Sequence, residues 1–348
     1  MKNFTKTSIM LVAAAMMTAC MSTPRVSETQ PLQLQKAAIL PSAEELSGAK
    51  NQKIIVVPVE ATGAEGIIYA QHATTGIEQG LLAAGNDVLE RSLAQQLGEE
   101  LLLIEMQQGG GSATTLNAAD IAIMAKLSDP TFSFDYRERS RYQNEDGDWV
   151  IIPPKCTFDS SANISVRVYR LPSMTQVGTY TFAADESEVR EDSNSRCPIS
   201  EQSVASLKQK AIDRAIAEGQ FELLNSIAPK AYILDARQAP GASDALFRVS
   251  IGTTNGAREG ATVEFFRLEE RINQLTGAKS IEEVYLGEGE FTADIAADAA
   301  YVHVNDSELV RKLLLGDIVK MKHNKCDAGG MEMFGNCVTF SDVTNALR

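Results

Sequence analysis

The stretch Ser161 to Arg170 (SANISVRVYR) constrains the fold most: apolar Ile164, Val166 and Val168 alternate with Ser165, Arg167 and Tyr169. Alternation with period two puts each set on its own face of an extended chain, which predicts a half-buried strand. Gln176 to Ala183 (QVGTYTFA) follows across Leu171-Pro172-Ser173, a turn that predicts an antiparallel partner. The apolar face needs a cover, and two amphipathic segments offer one. Ile77, Leu81, Val88, Leu89, Leu93 and Leu97 recur at helical spacing and predict a helix over about 74–98, weakened by Gly80 and Gly85. Val204, Leu207, Ile212, Ala215, Ile216, Phe221, Leu224 and Ile227 predict a second helix, ended by Pro229. Lys53 to Val59, Leu101 to Met106 and Asp120 to Leu127 read as further strands. The expectation for 53–229 is therefore an α/β domain, a mixed sheet covered by helices.

From Lys230 the texture changes. AYILDAR, LFRVSIG, ATVEFFR, EEVYLGEGEFTADIA and AYVHV are separated by Pro240-Gly241, Asn255-Gly256 and Thr276-Gly277. Short strands punctuated by glycine turns predict a small all-β, barrel-like domain over 230–324. Residues 325–348 read as an irregular tail held by a disulfide.

Between the two halves of the first domain lies a charged, aromatic hairpin. Phe132, Phe134 and Tyr136 alternate with polar residues, and Asp146-Gly147 supplies a turn before Trp149 and Ile151. Tyr136, Tyr142 and Trp149 are the candidate partner-binding residues, because aromatics are enriched at interfaces. The run Asn144-Glu-Asp-Gly-Asp148 lacks the second half of a calcium loop and reads as turn chemistry.

The amino terminus fixes the compartment. Lys2 and Lys6 precede the apolar run Leu11 to Cys20 (LVAAAMMTAC), far short of the roughly 20 residues that span a bilayer, so 1–19 read as a secretory signal. Met17-Thr18-Ala19-Cys20 resembles a bacterial lipobox, which implies cleavage before Cys20 and lipid on its new amino terminus. Two or more acyl chains anchor a protein firmly. Met21, where an aspartate would retain an enteric lipoprotein in the inner membrane, implies the periplasmic face of the outer membrane. Residues 20–52, rich in Ser, Thr, Pro and Gln, read as a flexible tether.

The processed chain carries 30 Lys+Arg against 46 Asp+Glu, a net charge of −16 that argues against nucleic acid as a partner. Its remaining cysteines, Cys156, Cys197, Cys326 and Cys337, are expected to form structural disulfides. Three pairings are open; Cys156 with Cys197 and Cys326 with Cys337 keep each bridge within one segment. Spacings of 41 and 11 lack the CxxC pattern of a metal site. His72, His303 and His323 are scattered, HExxH and GxSxG are absent, and Gly109-Gly110-Gly111 fits neither GxGxxG nor GxxxxGK(S/T), so it reads as a flexible loop. The expectation is a non-catalytic protein with no cofactor beyond the lipid on Cys20.

Taken with the lipobox, KIIVVPVEATG, SLAQQL, AADIAIMAKL and ISVRVYRLPSMTQVGTYTF resemble the CsgG family of curli-secretion lipoproteins, with a TolB-N-like domain, over about 53–228. FRVSIGTTNG, REGATV and LGDIV resemble the carboxy-terminal barrel of flagellar assembly protein T. The resemblance implies an assembly or scaffold component of an envelope machine, with periplasmic protein partners and self-association into a ring. Alternatives are a regulatory lipoprotein activating a peptidoglycan synthase, or a pore-forming export subunit. A pore needs two hairpins with apolar outward faces. Thr131 to Tyr142 begins that way but then places Glu138 and Ser140 on the same face, and Asp185 to Arg196 is almost wholly polar.

Overall fold

A computed structural model describes residues 24–46, 52–61, 63–89, 94, 119–324, 330–333 and 336–339. The chain opens on a strap holding β1 (Gln30–Leu32) and α1 (Ala43–Leu46). The first domain comprises β2 (Lys53–Val56), α2 (Gly63–Ala83), β3 (Asp87–Val88), β4 (Ile121–Leu127) and β5 (Thr131–Arg137). It continues through β6 (Ser140–Gln143), β7 (Trp149–Ile152), β8 (Lys155–Arg170), β9 (Thr175–Glu191) and α3 (Glu201–Ile227). The second domain comprises β10 (Ala231–Gln238), β11 (Ala245–Val249), β12 (Thr262–Ile272), β13 (Lys279–Ile295), β14 (Ala300–Val304), α4 (Ser307–Lys312) and β15 (Ile318–Met321). Strand is the commonest element among the described residues, well ahead of helix, so the molecule is richer in β structure than the expected α/β layer with a small barrel.

In the first domain β2 lies between β3 and β4, parallel to both, while β4 to β8 and β8 to β9 are antiparallel. Ile54, Val56, Ile121, Ile123, Ile164, Val166, Val168 and Phe182 form one apolar face, covered by Tyr69, Ala73, Ile77 and Leu81 of α2 and by Ile212, Ala215 and Ile216 of α3. Ile55, Val57, Ala122 and Met124 are buried on the opposite face. That double burial explains why β2 and β4 read as continuous apolar runs while β8 alternates.

The first helix differs from the sequence expectation. It starts at Gly63 and ends at Ala83, not 98, because Gly85 takes a left-handed backbone (φ +82°) and the chain turns into β3 at Val88. Leu93, Leu97, the strand expected at Leu101 to Met106 and the triple glycine lie outside the described residues.

The second domain closes on itself in the order β10, β11, β14, β13, β12, β15 and back to β10, a six-stranded barrel. Phe247, Val263, Phe265, Phe291, Val302 and Val319 fill it, with Leu309 and Val310 of α4 packed against them. Asp306 caps α4 by accepting from the Glu308 amide. Behind the wall, the Arg267 guanidinium forks onto both carboxylate oxygens of buried Asp317 at 2.9 and 2.7 Å, and the Leu314 amide donates to the same carboxylate at 2.7 Å. These bonds raise the Arg267 pKa against the opposing effect of burial.

The segment expected to be a flexible tether is bound over residues 24–46. β1 adds to the edge of β10 with Gln30 opposite Gln238 and Leu32 opposite Ala236, and Arg237 donates to Thr29 Oγ1 and O at 3.0 and 2.7 Å. Leu32 and Leu34 pack against the barrel core, the Ala37 amide donates to the Leu315 carbonyl, and the Leu315 amide donates to the Gln35 carbonyl. Partial burial of Leu32 and Leu34 and pairing along the free β10 edge offset the entropy cost of ordering this segment.

The two domains meet end to end. Asn225, near the end of α3, donates to the His323 carbonyl at 2.9 Å and accepts from the His323 amide at 2.8 Å. A Cβ on Gly85 would stand 2.7 Å from the Gly256 nitrogen, so these left-handed glycines allow two backbones to touch. Gly256 and His323 follow the ends of β11 and β15, placing the first domain at the barrel end opposite the 239–244 turn. The carboxy-terminal segment, expected to be irregular, holds a hairpin of β16 (Gly330–Met333) and β17 (Asn336–Thr339).

Candidate interaction surface

β8 and β9 run 16 and 17 residues, about three times the common strand length, because only half of each belongs to the domain core. β4 pairs with Ile164 to Arg170 and β5 with Lys155 to Ser161, so β4 and β5 lie in line on one side of β8 while β9 follows the other side throughout. The outer halves form a three-stranded extension pointing away from the barrel. The pairing of 155–161 with 185–191 carries both strands past the expected pair, Ser161 to Arg170 with Gln176 to Ala183.

What supports this extension is a small satellite core. Cys156 and Cys197 are bridged, the pairing that keeps the bridge within one segment, and with Phe158 and Leu207 they form a buried cluster against which Phe132, Tyr136 and Ile199 pack. Phe132 stacks on Phe158 with centroids 6.4 Å apart, and the Arg190 guanidinium sits 5.6 Å from the Phe158 ring centroid. Arg190 also donates to Glu188 at 2.6 Å, and that hydrogen bond holds the Glu188 carboxyl below its usual range. The bridge was legible as one option among three; Cys326 lies outside the described residues, so the second pairing does too.

From the extension's end projects the hairpin of β6 and β7, closed at Asn144 to Gly147, with Gln143 opposite Trp149 and Arg141 opposite Ile151. The three aromatics proposed from sequence do not form one patch. Tyr136 is half-buried against the disulfide cluster, its hydroxyl donating to the Ser193 carbonyl at 3.3 Å. Tyr142 pairs with Val150 and so lies on the opposite hairpin face from Trp149. The reason is register: odd spacing between 142 and 149 across this turn puts them on different faces. Trp149, 61% exposed, instead shares a face with exposed Ile151 and with Arg141, whose guanidinium lies 4.9 Å from the indole centroid. Ile151 is legible beside Trp149 in the sequence but Arg141 is not, although its pairing with Ile151 follows once the Asp146-Gly147 turn fixes register.

Two strand edges of this extension carry no described partner, β5 on one side and β9 on the other. They differ in charge. The β9 end bears Asp185, Glu186, Glu188, Glu191 and then Asp192 against Arg190, whereas the run through β5 and β6 bears Arg137, Arg139 and Arg141 against Asp135 and Glu138. Within the chain Glu186 meets Arg214 of α3 at 3.5 Å. The outward face presents Ser133, Asp135, Thr157, Asp159, Ser187 and Glu191 with Val189 alone as an exposed large apolar side chain, so it offers no apolar band to lipid.

The histidines occupy ordinary polar contacts: His72 meets Asp213 at 2.7 Å between α2 and α3, and His303 meets Asp244 at 2.8 Å. Among the described residues no three His, Cys, Asp or Glu side chains are grouped to hold a metal. Nor is any described helix long and apolar enough to cross a membrane. Cys20 lies outside the described residues.

No family model matches the chain, and no curated protein matches it either. Solved structures with some likeness include a putative neuraminyllactose-binding hemagglutinin homologue from Helicobacter pylori, 8% identical, with 53% of this chain and 88% of that one covered at a TM-score of 0.30. A hypothetical protein from Chlamydia trachomatis is 12% identical over 48% of this chain and 94% of its own, at 0.26. Lipoprotein GNA1162 from Neisseria meningitidis is 12% identical over 48% of this chain and 98% of its own, at 0.22. Scores this low carry no argument for a shared fold or role.

Proposed function

We propose that this chain is a lipid-anchored, non-catalytic assembly component on the periplasmic face of the outer membrane, of the CsgG type, which self-associates through its first domain. The observation that carries this reading is the extension's pair of unpartnered edges with unlike charge. Joining the β5 edge of one copy to the β9 edge of the next is a heterologous contact, and repetition of such a contact closes a ring when the rotation allows. The charges serve a second purpose, since edge charge discourages indiscriminate pairing. Support for the anchor comes from the lipobox at Cys20 and from the strap, which leaves only a short stretch of chain between that residue and the barrel. The export-pore reading is disfavoured by the polar outward face of the extension.

The anchor is tested by fractionation. Cys20→Ser should move the protein from the membrane pellet to the soluble fraction. Tight retention of a processed Cys20→Ser chain would sink the anchor.

A further inference from the structure

The strap decides which way the molecule stands. β1 runs antiparallel to β10, so its first residue, Gln30, lies beside Gln238 at the barrel end formed by the 239–244 turn. The first domain holds the other barrel end through Gly85, Gly256, Asn225 and His323. Within the first domain, α3 ends and β4 begins on the barrel side, while β8 starts far from it. Amino-terminal exit, barrel, first domain and β6–β7 hairpin therefore follow one another along one line.

Chain length then limits where the barrel can be. Ten residues separate Cys20 from Gln30, at most about 35 Å even when fully extended. On the far side, β8 alone is on the order of 50 Å long, and the hairpin continues beyond it.

Resting on the anchor at Cys20, we infer that the barrel end bearing the 239–244 turn is held at the phospholipid surface, and that the β6–β7 hairpin with Trp149, Ile151 and Arg141 is presented at the opposite pole, beyond reach of that surface. Partners engaging this hairpin lie outside the anchoring membrane's headgroup layer.

Trp149 is the sole tryptophan of the sequence, which makes the distal pole its own reporter. The full lipidated chain, placed on phosphatidylethanolamine and phosphatidylglycerol vesicles carrying a dansyl headgroup, is compared with a Trp149→Phe/Ser243→Trp variant. Native protein should keep its indole emission, whereas the variant should lose most of its emission to the dansyl acceptor. Transfer from Trp149 with none from the indole at 243, in protein that floats with the vesicles, overturns the orientation and leaves the anchor intact. Failure of both proteins to float overturns the anchor and the orientation with it. Flotation is read separately from transfer, which keeps the two failures distinct.

Discussion

Asp317→Ala should destabilise the barrel by about 2–4 kcal/mol, measured as a fall in the urea midpoint of the purified chain. Asp317 is 1% exposed and takes three hydrogen bonds, two from Arg267 and one from the Leu314 amide. Truncation leaves a mostly buried guanidinium without its counter-charge and an amide without its acceptor, and the penalty for stranding those groups exceeds the net worth of the pair. Arg267 retains some solvent access, which keeps the expected loss below that of a fully enclosed pair. Replacing both partners with apolar side chains, Arg267→Met with Asp317→Leu, should cost less than the single truncation. A single variant as stable as the parent would mean that water already satisfies the site.

The second large effect belongs to the extension. Cys156→Ala with Cys197→Ala reopens a loop of 41 residues, and chain-entropy reasoning assigns that closure about 4 kcal/mol, with 2–4 typical of measured cases. The loss should be local as well as global: Phe158, Leu207 and Tyr136 lean on the bridge, so amide exchange should quicken first in 155–161 and 185–191. Unchanged exchange in those strands, alongside a lower global stability, would separate the disulfide from the extension's rigidity.

Much of the core was legible because period-two alternation reports burial directly: Ile164, Val166 and Val168 sit where their spacing put them, as do Ile212, Ala215 and Ile216 on α3. The barrel was legible from its turns. Boundaries were less so, since Ile77 and Leu81 fit a helix in either direction and only the left-handed Gly85 decides where it stops. The strap carried its own signal, Pro-Leu-Gln-Leu-Gln at 31–35, in which Leu32 and Leu34 alternate with glutamines, strand alternation inside a polar segment. Composition outweighed it because a lone edge strand has no local partner, and β10 lies some 200 residues away. The acidic half of β9 was hidden for the opposite reason: it is strand held by a neighbour and a disulfide rather than by its own apolar pattern. At the candidate surface, residue types were readable but faces were not, since Trp149 and Tyr142 part company on a register that one turn sets.

The central claim, self-association of a lipid-anchored chain through unlike edges, is tested most directly by the native mass of the lipidated protein extracted in mild detergent, measured with and without Arg137→Glu/Arg139→Glu. The account predicts a single closed oligomer that falls to the protomer in the variant. A monodisperse protomer of about 36 kDa plus lipid in the unaltered protein would contradict it and shift the reading to a solitary regulator.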